Sequence, residues 1–234
     1  MTCSSRTSSG HPIRRGEITR CGIQRGDEIT VVDQRIRLEV LAPTVDMVLL
    51  GVGGRLEGET LTSNSLSGVL RVWFEEQPLA ILAGDLDEIG LQRLLVEEEQ
   101  LHGRVLVFPH HGGRTGGDDH SFVSTIMNAV DPETVVFSFG REKYSNPRPE
   151  IIHAIFSAKP GAKIMCTQLS KRCSASTFDP PHLASLPARG RDAGRCCAGS
   201  LQLDSQGVVT PQVAEHATFV DSLTPPPLCR IPLP

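Results

Sequence analysis

The order of apolar and polar positions predicts strands in the first part of the chain. Residues 35–43, RIRLEVLAP, alternate apolar and polar side chains, and ITVVD precedes them with a similar texture. After a glycine-rich loop, residues 66–74 and 79–83 are apolar runs separated by a short polar turn. This part of the chain therefore predicts strands connected by turns.

Further along, strand-like and helix-like patterns alternate. Short apolar runs at 79–83, 104–109, 134–140 and 163–167 predict strands. The segments between them carry apolar residues at helical spacing, and they predict helices over about 87–100, 119–130 and 149–160. Three such alternations are typical of an α/β fold in which helices cover a sheet.

The pattern also divides the chain. We expect a flexible segment at residues 1–16, an α/β domain over 17–168, an irregular cysteine-containing insertion at 169–199, a returning hairpin at 200–210 and a proline-rich tail at 211–234. Because the tail is rich in proline, we expect it to pack poorly.

Composition narrows the classes of protein that fit. The 234 residues are 39% hydrophobic, which suffices for a real core. The sequence has no long apolar run and its start lacks the apolar stretch of a signal peptide, so we expect a soluble cytoplasmic protein with no membrane partner. A net charge of -4 gives no overall attraction to nucleic acid, and 4% aromatic residues argue against stacking platforms for single strands.

Two of the predicted strands end at residues that can bind a metal. ILAGD ends at Asp85, and LVFPHHGG contains His110 and His111. Strands joined by one helix usually lie side by side, and working groups of α/β sheets follow the carboxyl ends of strands, so these three residues are candidate ligands of zinc, manganese or another divalent metal, with His110 and His111 as candidate catalytic residues. In the alternative interpretation, Asp85 caps the next helix and the histidines lie in a solvated loop.

The cysteines suggest a second site. Seven cysteines, an odd number in a chain without a secretion signal, favour free thiols or metal over a disulfide framework. Cys166, Cys173, Cys196 and Cys197 bracket the insertion and are candidate ligands of a structural zinc. The alternative is a set of reduced thiols buried as small hydrophobic residues.

Several stretches between residues 63 and 167 together resemble the metallo-β-lactamase superfamily, in particular its ComEC-like hydrolase domains: SNSLSGVL, ILAGD, VLVFPHHGG, VVFSFG and YSNPRPE. The resemblance implies an αββα sandwich and metal-dependent hydrolysis of a phosphoester in a small anionic molecule or a nucleic acid. It implies that Asp85 bridges two metals and that His110 or His111 binds metal or contacts the attacked group. Asn64, Arg114 and Asn146 are candidate substrate contacts.

The chain differs from that family at positions that bind the metals, and these differences determine the activity we expect. The family's H-x-H-x-D-H motif, which supplies most ligands of its two-metal centre, is absent, and Asn146 stands where the family has a late histidine. The chain therefore resembles the second portion of the sandwich, and a protein partner or a second copy could complete the fold. We expect a hydrolase-like protein with an incomplete or impaired metal centre; the alternatives are an inactive, zinc-stabilised scaffold that binds a partner, and a redox or metal sensor acting through Cys196 and Cys197.

Overall fold

A computed structural model describes most of the chain. The described residues are 23–31, 33–98, 100–141, 144–178, 183, 187–205, 209–210 and 213–230. The expected flexible segment 1–16 lies outside them, as do Cys3, Cys21 and His182.

Strands and helices of the described residues follow the predicted order closely. In chain order they are β1 (Glu28–Thr30), β2 (Ile36–Ala42), α1 (Val45–Leu50), β3 (Arg55–Leu56), β4 (Glu59–Thr60), β5 (Val69–Phe74), β6 (Gln77–Leu82), α2 (Glu88–Glu97), β7 (Val105–Val107), α3 (Asp119–Val130), β8 (Thr134–Phe137), α4 (Pro149–Ala158), β9 (Lys163–Cys166), β10 (Gln202–Leu203), β11 (Val209–Thr210) and α5 (Val213–Asp221).

One mixed sheet of seven strands organises the fold. Its strand order is β1-β2-β5-β6-β7-β8-β9. The strands from β1 to β6 pair antiparallel, as connections by turns require, whereas β6, β7, β8 and β9 pair parallel. The predicted α/β class is confirmed, and β6, β7 and β8 are adjacent, as the single-helix connections predicted.

Helices α2, α3 and α4 each connect two neighbouring parallel strands and contribute to one main core. Ile81, Leu106 and Val135 of the sheet join this core together with Leu91 of α2 and Phe122 of α3. The apolar residues of these helices recur at helical spacing, so each helix buries one face against the sheet.

A thinner layer covers the opposite face of the parallel strands. The residues that alternate with the main-core positions, Ala80, Val105, Val136 and Met165, form a second buried cluster with Ala198. Leu201 and Leu203, both within the predicted hairpin, pack against this cluster, and the hairpin strands β10 and β11 pair antiparallel. The insertion and hairpin thus cover sheet that would otherwise face water.

The end of the chain differs from its prediction. The expectation that the proline-rich tail packs poorly is wrong for its described part, because α5 forms and Phe219, Val220, Leu223 and Leu228 are buried in the main core. Apolar residues at helical spacing in α5 supply the contact area, and the prolines follow the helix, where they do not interrupt its hydrogen bonds.

The glycine-rich loop also contains structure that the pattern did not predict. Helix α1 ends at Gly51, whose φ of 68° suits a residue without a side chain. Val45, Val48, Leu49, Leu50 and Val52 leave large apolar side chains exposed in and after this helix. None of the helices in the described ranges combines the length and apolar character needed to cross a bilayer.

Candidate functional site

The carboxyl ends of β6, β7 and β8 meet at one edge of the sheet and carry the strand-end site, which we define as Asp85, His110 and His111. The GD pair that follows β6 has a simple local reason. Gly84 has a φ of 56°, and a Cβ there would lie 2.5 Å from the Ser67 Oγ, so only glycine fits. The Asp85 backbone N–H donates to the same Ser67 Oγ at 2.8 Å, which fixes the direction in which the chain leaves the strand.

The two histidines lie in a tight turn, Pro109–Gly112, directly after β7. Both have left-handed backbone angles, with φ of 51° for His110 and 56° for His111, which is unfavourable for residues with a side chain. The Gly113 N–H donates to the His110 carbonyl at 2.7 Å, and the His110 N–H donates to the Gly84 carbonyl at 3.3 Å. Such strain persists only where neighbours hold it, and it occurs often at functional sites.

His111 and Asp85 face each other across the strand ends. The His111 Nε2 lies 3.7 Å from the Asp85 Oδ1, too far for a direct hydrogen bond, and about half of each side chain is exposed. On the other side of the ring, the His111 Nδ1 contacts the Ser138 carbonyl oxygen after β8. A carbonyl only accepts, so the Nδ1 carries the proton of the neutral ring and the Nε2 presents a lone pair toward the carboxylate.

This pair fits a bound cation. A lone pair that faces a carboxylate is unfavourable unless a proton or a metal lies between them. A zinc ion with ligand distances of about 2.0–2.2 Å would set a nitrogen and an oxygen roughly 3.4 Å apart, close to the observed 3.7 Å. The carbonyl that holds the far side of the ring is the usual partner of a metal-binding histidine.

His110 has a different environment from His111. Its Nε2 is buried and has no hydrogen-bond partner among the described residues. Burial lowers the pKa of His110, and the negative charges of Asp85 and Asp87 oppose that shift only in part. A neutral imidazole whose buried nitrogen has no hydrogen-bond partner can use that nitrogen to bind a metal or a ligand.

The helix cap after β6 is Asp87, and not Asp85 as the alternative interpretation proposed. The Asp87 Oδ1 accepts from the Gly90 N–H at 2.9 Å at the start of α2. Its Oδ2 accepts from the Thr62 Oγ1 at 2.7 Å and the Ser65 Oγ at 2.8 Å. Because Asp87 supplies the cap, Asp85 is free to face the histidines.

The three candidate substrate contacts have different surroundings. The Asn146 Nδ2 donates to the His110 carbonyl at 3.4 Å, so Asn146 supports the histidine turn from the loop before α4. Arg114 is exposed and lies two residues after the Pro109–Gly112 turn. The Asn64 backbone N–H donates to the Thr62 Oγ1 at 3.0 Å, in the loop whose Ser67 hydroxyl accepts from the Asp85 N–H.

The four cysteines of the predicted zinc site do not all line the same space. Cys166, Cys173 and Cys197 line one small buried cavity, but Cys196 does not; its Sγ contacts the Arg189 carbonyl at 3.6 Å. Cys196 forms a β-bridge with Gln168, and it is not among the residues that line this cavity.

Sequence reasoning missed the residue that completes this cavity, Cys229 from the turn Leu228–Arg230. It also passed over His216 of α5, whose Nε2 lies 3.4 Å from the Cys197 Sγ. The apolar spacing of VAEHATFVDSL was the available signal, because it predicts a helix that carries His216 into the protein on the side of Phe219 and Val220.

In the side-chain positions of the described residues, no group of three or more His, Cys, Asp or Glu is already arranged as a metal site. The strand-end site thus provides Asp85 and His111 as a facing pair, with His110 nearby as a third residue that could bind metal. The cysteines provide several thiols around one cavity.

Compared with protein-family models, with curated proteins and with solved structures, the chain matches none.

Proposed function

We propose that this protein is of the metallo-β-lactamase hydrolase type, with the strand-end site as one part of its metal centre and a phosphoester as its class of substrate. The observation that carries the proposal is the His111 Nε2 facing the Asp85 Oδ1 at 3.7 Å, with the Ser138 carbonyl at the other ring nitrogen. A divalent cation, zinc or manganese, would supply Lewis-acid catalysis there.

The chain's own residues would prepare that chemistry. Asp85 and His111 would hold the cation, because their donor atoms converge and are accessible from solvent. His110, neutral because burial lowers its pKa, would add its unpaired Nε2 or contact the attacked group. Exposed Arg114 would attract the negative charge of the substrate.

Three donors are fewer than a two-metal centre needs, so we propose that the centre is incomplete or impaired in the described residues and that a protein partner or a second copy contributes the remaining ligands. The alternative function is a catalytically inactive, zinc-stabilised scaffold that binds a partner. The cavity lined by cysteines favours that alternative, because a structural zinc there would stabilise a scaffold that has no catalytic metal.

Metal titration of the full chain tests the proposal. We expect the metal-free protein to bind Mn²⁺ or Zn²⁺ weakly at the strand-end site, and Asp85→Ala and His111→Ala each to weaken that binding at least about tenfold. His120→Ala is the matched control, because His120 is an exposed histidine in the first turn of α3. Unchanged affinity in both variants would remove the proposed metal centre.

Hydrolysis of bis(p-nitrophenyl) phosphate by the same proteins separates the two candidate functions. We expect slow, metal-dependent turnover that disappears in His111→Ala. Rapid turnover that His110→Ala abolishes would show that the chain holds a complete centre, whereas metal binding without turnover would favour the scaffold.

A further inference from the structure

Four cysteines from distant parts of the chain converge on one cavity. Cys166 ends β9, Cys173 lies in the turn that follows, Cys197 lies near the end of the insertion, and Cys229 lies in the last described turn. All four line the same cavity, and apolar residues such as Leu169, Val220 and Leu228 line the rest of it. We call these four residues the cysteine cluster.

Burial and mutual proximity make the cluster an unusual place for four reduced cysteines. Burial is the main reason that the pKa of each of the four is raised, and the charge of neighbouring cysteines contributes to the rise for Cys166, Cys197 and Cys229. The pKa of Cys229 reaches about 11. In the absence of a cation the sulfurs would therefore stay protonated, as four weakly hydrogen-bonding groups around one space.

Several nearby groups would nevertheless stabilise thiolates. Hydrogen bonds from backbone groups of Leu228 and Cys166 lower the pKa of Cys173 and of Cys197, respectively, against the effect of burial. The positive charges of Arg141 and Arg230 act in the same direction on Cys173 and Cys229. Donors and cations around sulfur are the surroundings that a negatively charged zinc–thiolate centre requires.

We propose that Cys166, Cys173, Cys197 and Cys229 form a structural Zn²⁺ site that fastens the insertion and the end of the chain to β9. Zinc–sulfur distances of about 2.3 Å put the sulfurs of a tetrahedral site roughly 3.8 Å apart. In the present side-chain positions no three described ligands meet that arrangement, so the sulfurs converge by rotation about their own side-chain bonds when zinc binds.

His216 has a supporting role in this proposal. Its Nε2 lies 3.4 Å from the Cys197 Sγ, and both side chains are buried. As a hydrogen-bond donor to the Cys197 thiolate, His216 offsets part of the negative charge that four thiolates give the centre. Because His216 has that role, Cys229 is the fourth ligand of the zinc.

The site would replace regular secondary structure in this region. Between β9 and α5 the described chain contains one short hairpin, an isolated β-bridge and short turns. A zinc ion that joins four segments supplies the cross-links that a larger core or a sheet would otherwise provide. The proposal does not depend on the hydrolase, because the two sites share no residue.

Zinc content of the purified full chain is the first test, measured by mass spectrometry of the metal after removal of weakly bound ions by dialysis against a mild chelator. We expect one zinc per chain, and the same value in Asp85→Ala, which separates this site from the strand-end site. We expect Cys197→Ser and Cys229→Ser to lose the zinc and Cys196→Ser, the matched control at the adjacent buried cysteine, to keep it.

A second measurement needs no variant and so remains valid if the serine variants unfold. Stepwise modification of the native protein with a mercurial reagent should release zinc in proportion to thiols modified, and Co²⁺ substitution should give intense sulfur-to-cobalt charge-transfer absorption.

A further variant tests the role of His216. His216→Gln should keep both the zinc and the charge-transfer absorption. Loss of zinc in His216→Gln but not in Cys229→Ser, a disulfide between any two of the four, or zinc-free folded protein would overturn the proposal.

Discussion

The strand-end site and the cysteine cluster both consist of side chains that bind metals, yet they have opposite surroundings. Asp85 and His111 are about half exposed and stand at the ends of rigid parallel strands. Cys166, Cys173 and Cys197 are buried among apolar residues; Cys166 ends β9, whereas Cys173 and Cys197 lie on segments with little regular structure. An open site on a rigid frame can exchange ligands, whereas a closed site among loops can only hold them together.

The neighbours of each site differ in the same way. At the strand ends, a serine hydroxyl, backbone carbonyls and an asparagine orient Asp85 and the histidines, and Asp85 and His111 stay about half exposed. Around the cysteines, Val220 of α5 lines the cavity, and the buried guanidinium of Arg141 holds the chain that follows Cys173 by donating to the Ser174 carbonyl. Substitutions near the cysteines should therefore change stability, and substitutions at the strand ends should change binding.

The largest effect is expected at Arg141, whose guanidinium donates to four backbone carbonyls of the insertion: Leu169, Ser174, Ala175 and Ser176. Arg141→Met should lower the free energy of unfolding by about 3 kcal/mol, because it leaves buried carbonyls without donors. Urea denaturation measures the change. Arg141→Lys should be intermediate, since an ammonium cannot reach as many carbonyls at once; a near-neutral Arg141→Met would mean that the insertion is not a stabilising part of the fold.

An intermediate effect should separate two neighbouring carboxylates. Asp87→Ala should lose about 2 kcal/mol of stability, because it removes the cap of α2 and leaves the Ser65 hydroxyl without its acceptor. Asp85→Ala should change stability by less than about 0.5 kcal/mol, because Asp85 is exposed. Thermal and urea unfolding of both variants compare them, with Asp87→Asn as a control that keeps a capping oxygen. Equal losses would mean that Asp85 is also structural.

The smallest effect is a pH dependence at the strand ends. The pKa of His110 is below its ordinary value of 6.5, mainly because of burial. The unfolded chain therefore takes up a proton more readily than the folded one, so stability falls as the pH is lowered from about 6.5 toward the folded pKa and is unaffected above that range. Unfolding at stepped pH values in a chelator should show this slope. His110→Gln should reduce it, and His111→Gln should keep most of it, because burial and not the charge of His111 is the main cause of the lowered pKa.

Much of the strand-end site could be predicted from residue order alone. ILAGD and LVFPHHGG each end an apolar strand, and a single helix between two strands makes them parallel neighbours, so Asp85 and His111 had to come near each other. The roles of Asp85 and Asp87 could not be separated in this way. Both follow the strand within helix-capping range, and only the positions of Thr62 and Ser65 decide which carboxylate is held.

The cysteine cluster shows the opposite balance. The cysteines were visible in the sequence, but the sequence did not show that Cys229, rather than Cys196, lines the cavity with the other three. Residue spacing does not show which side of an irregular chain a thiol faces. It also does not show that the proline-rich segment around Cys229 packs against the core.

The sequence by itself determined the periodic elements, their order and the adjacency of β6, β7 and β8, because these follow from local spacing and from the geometry of strand–helix–strand connections. Only the tertiary structure decided which nitrogen of His111 faces Asp85 and which four cysteines share a cavity. Those outcomes depend on contacts between residues far apart in the chain, such as Ser138 with His111 and Cys229 with the end of β9, and no local pattern encodes them.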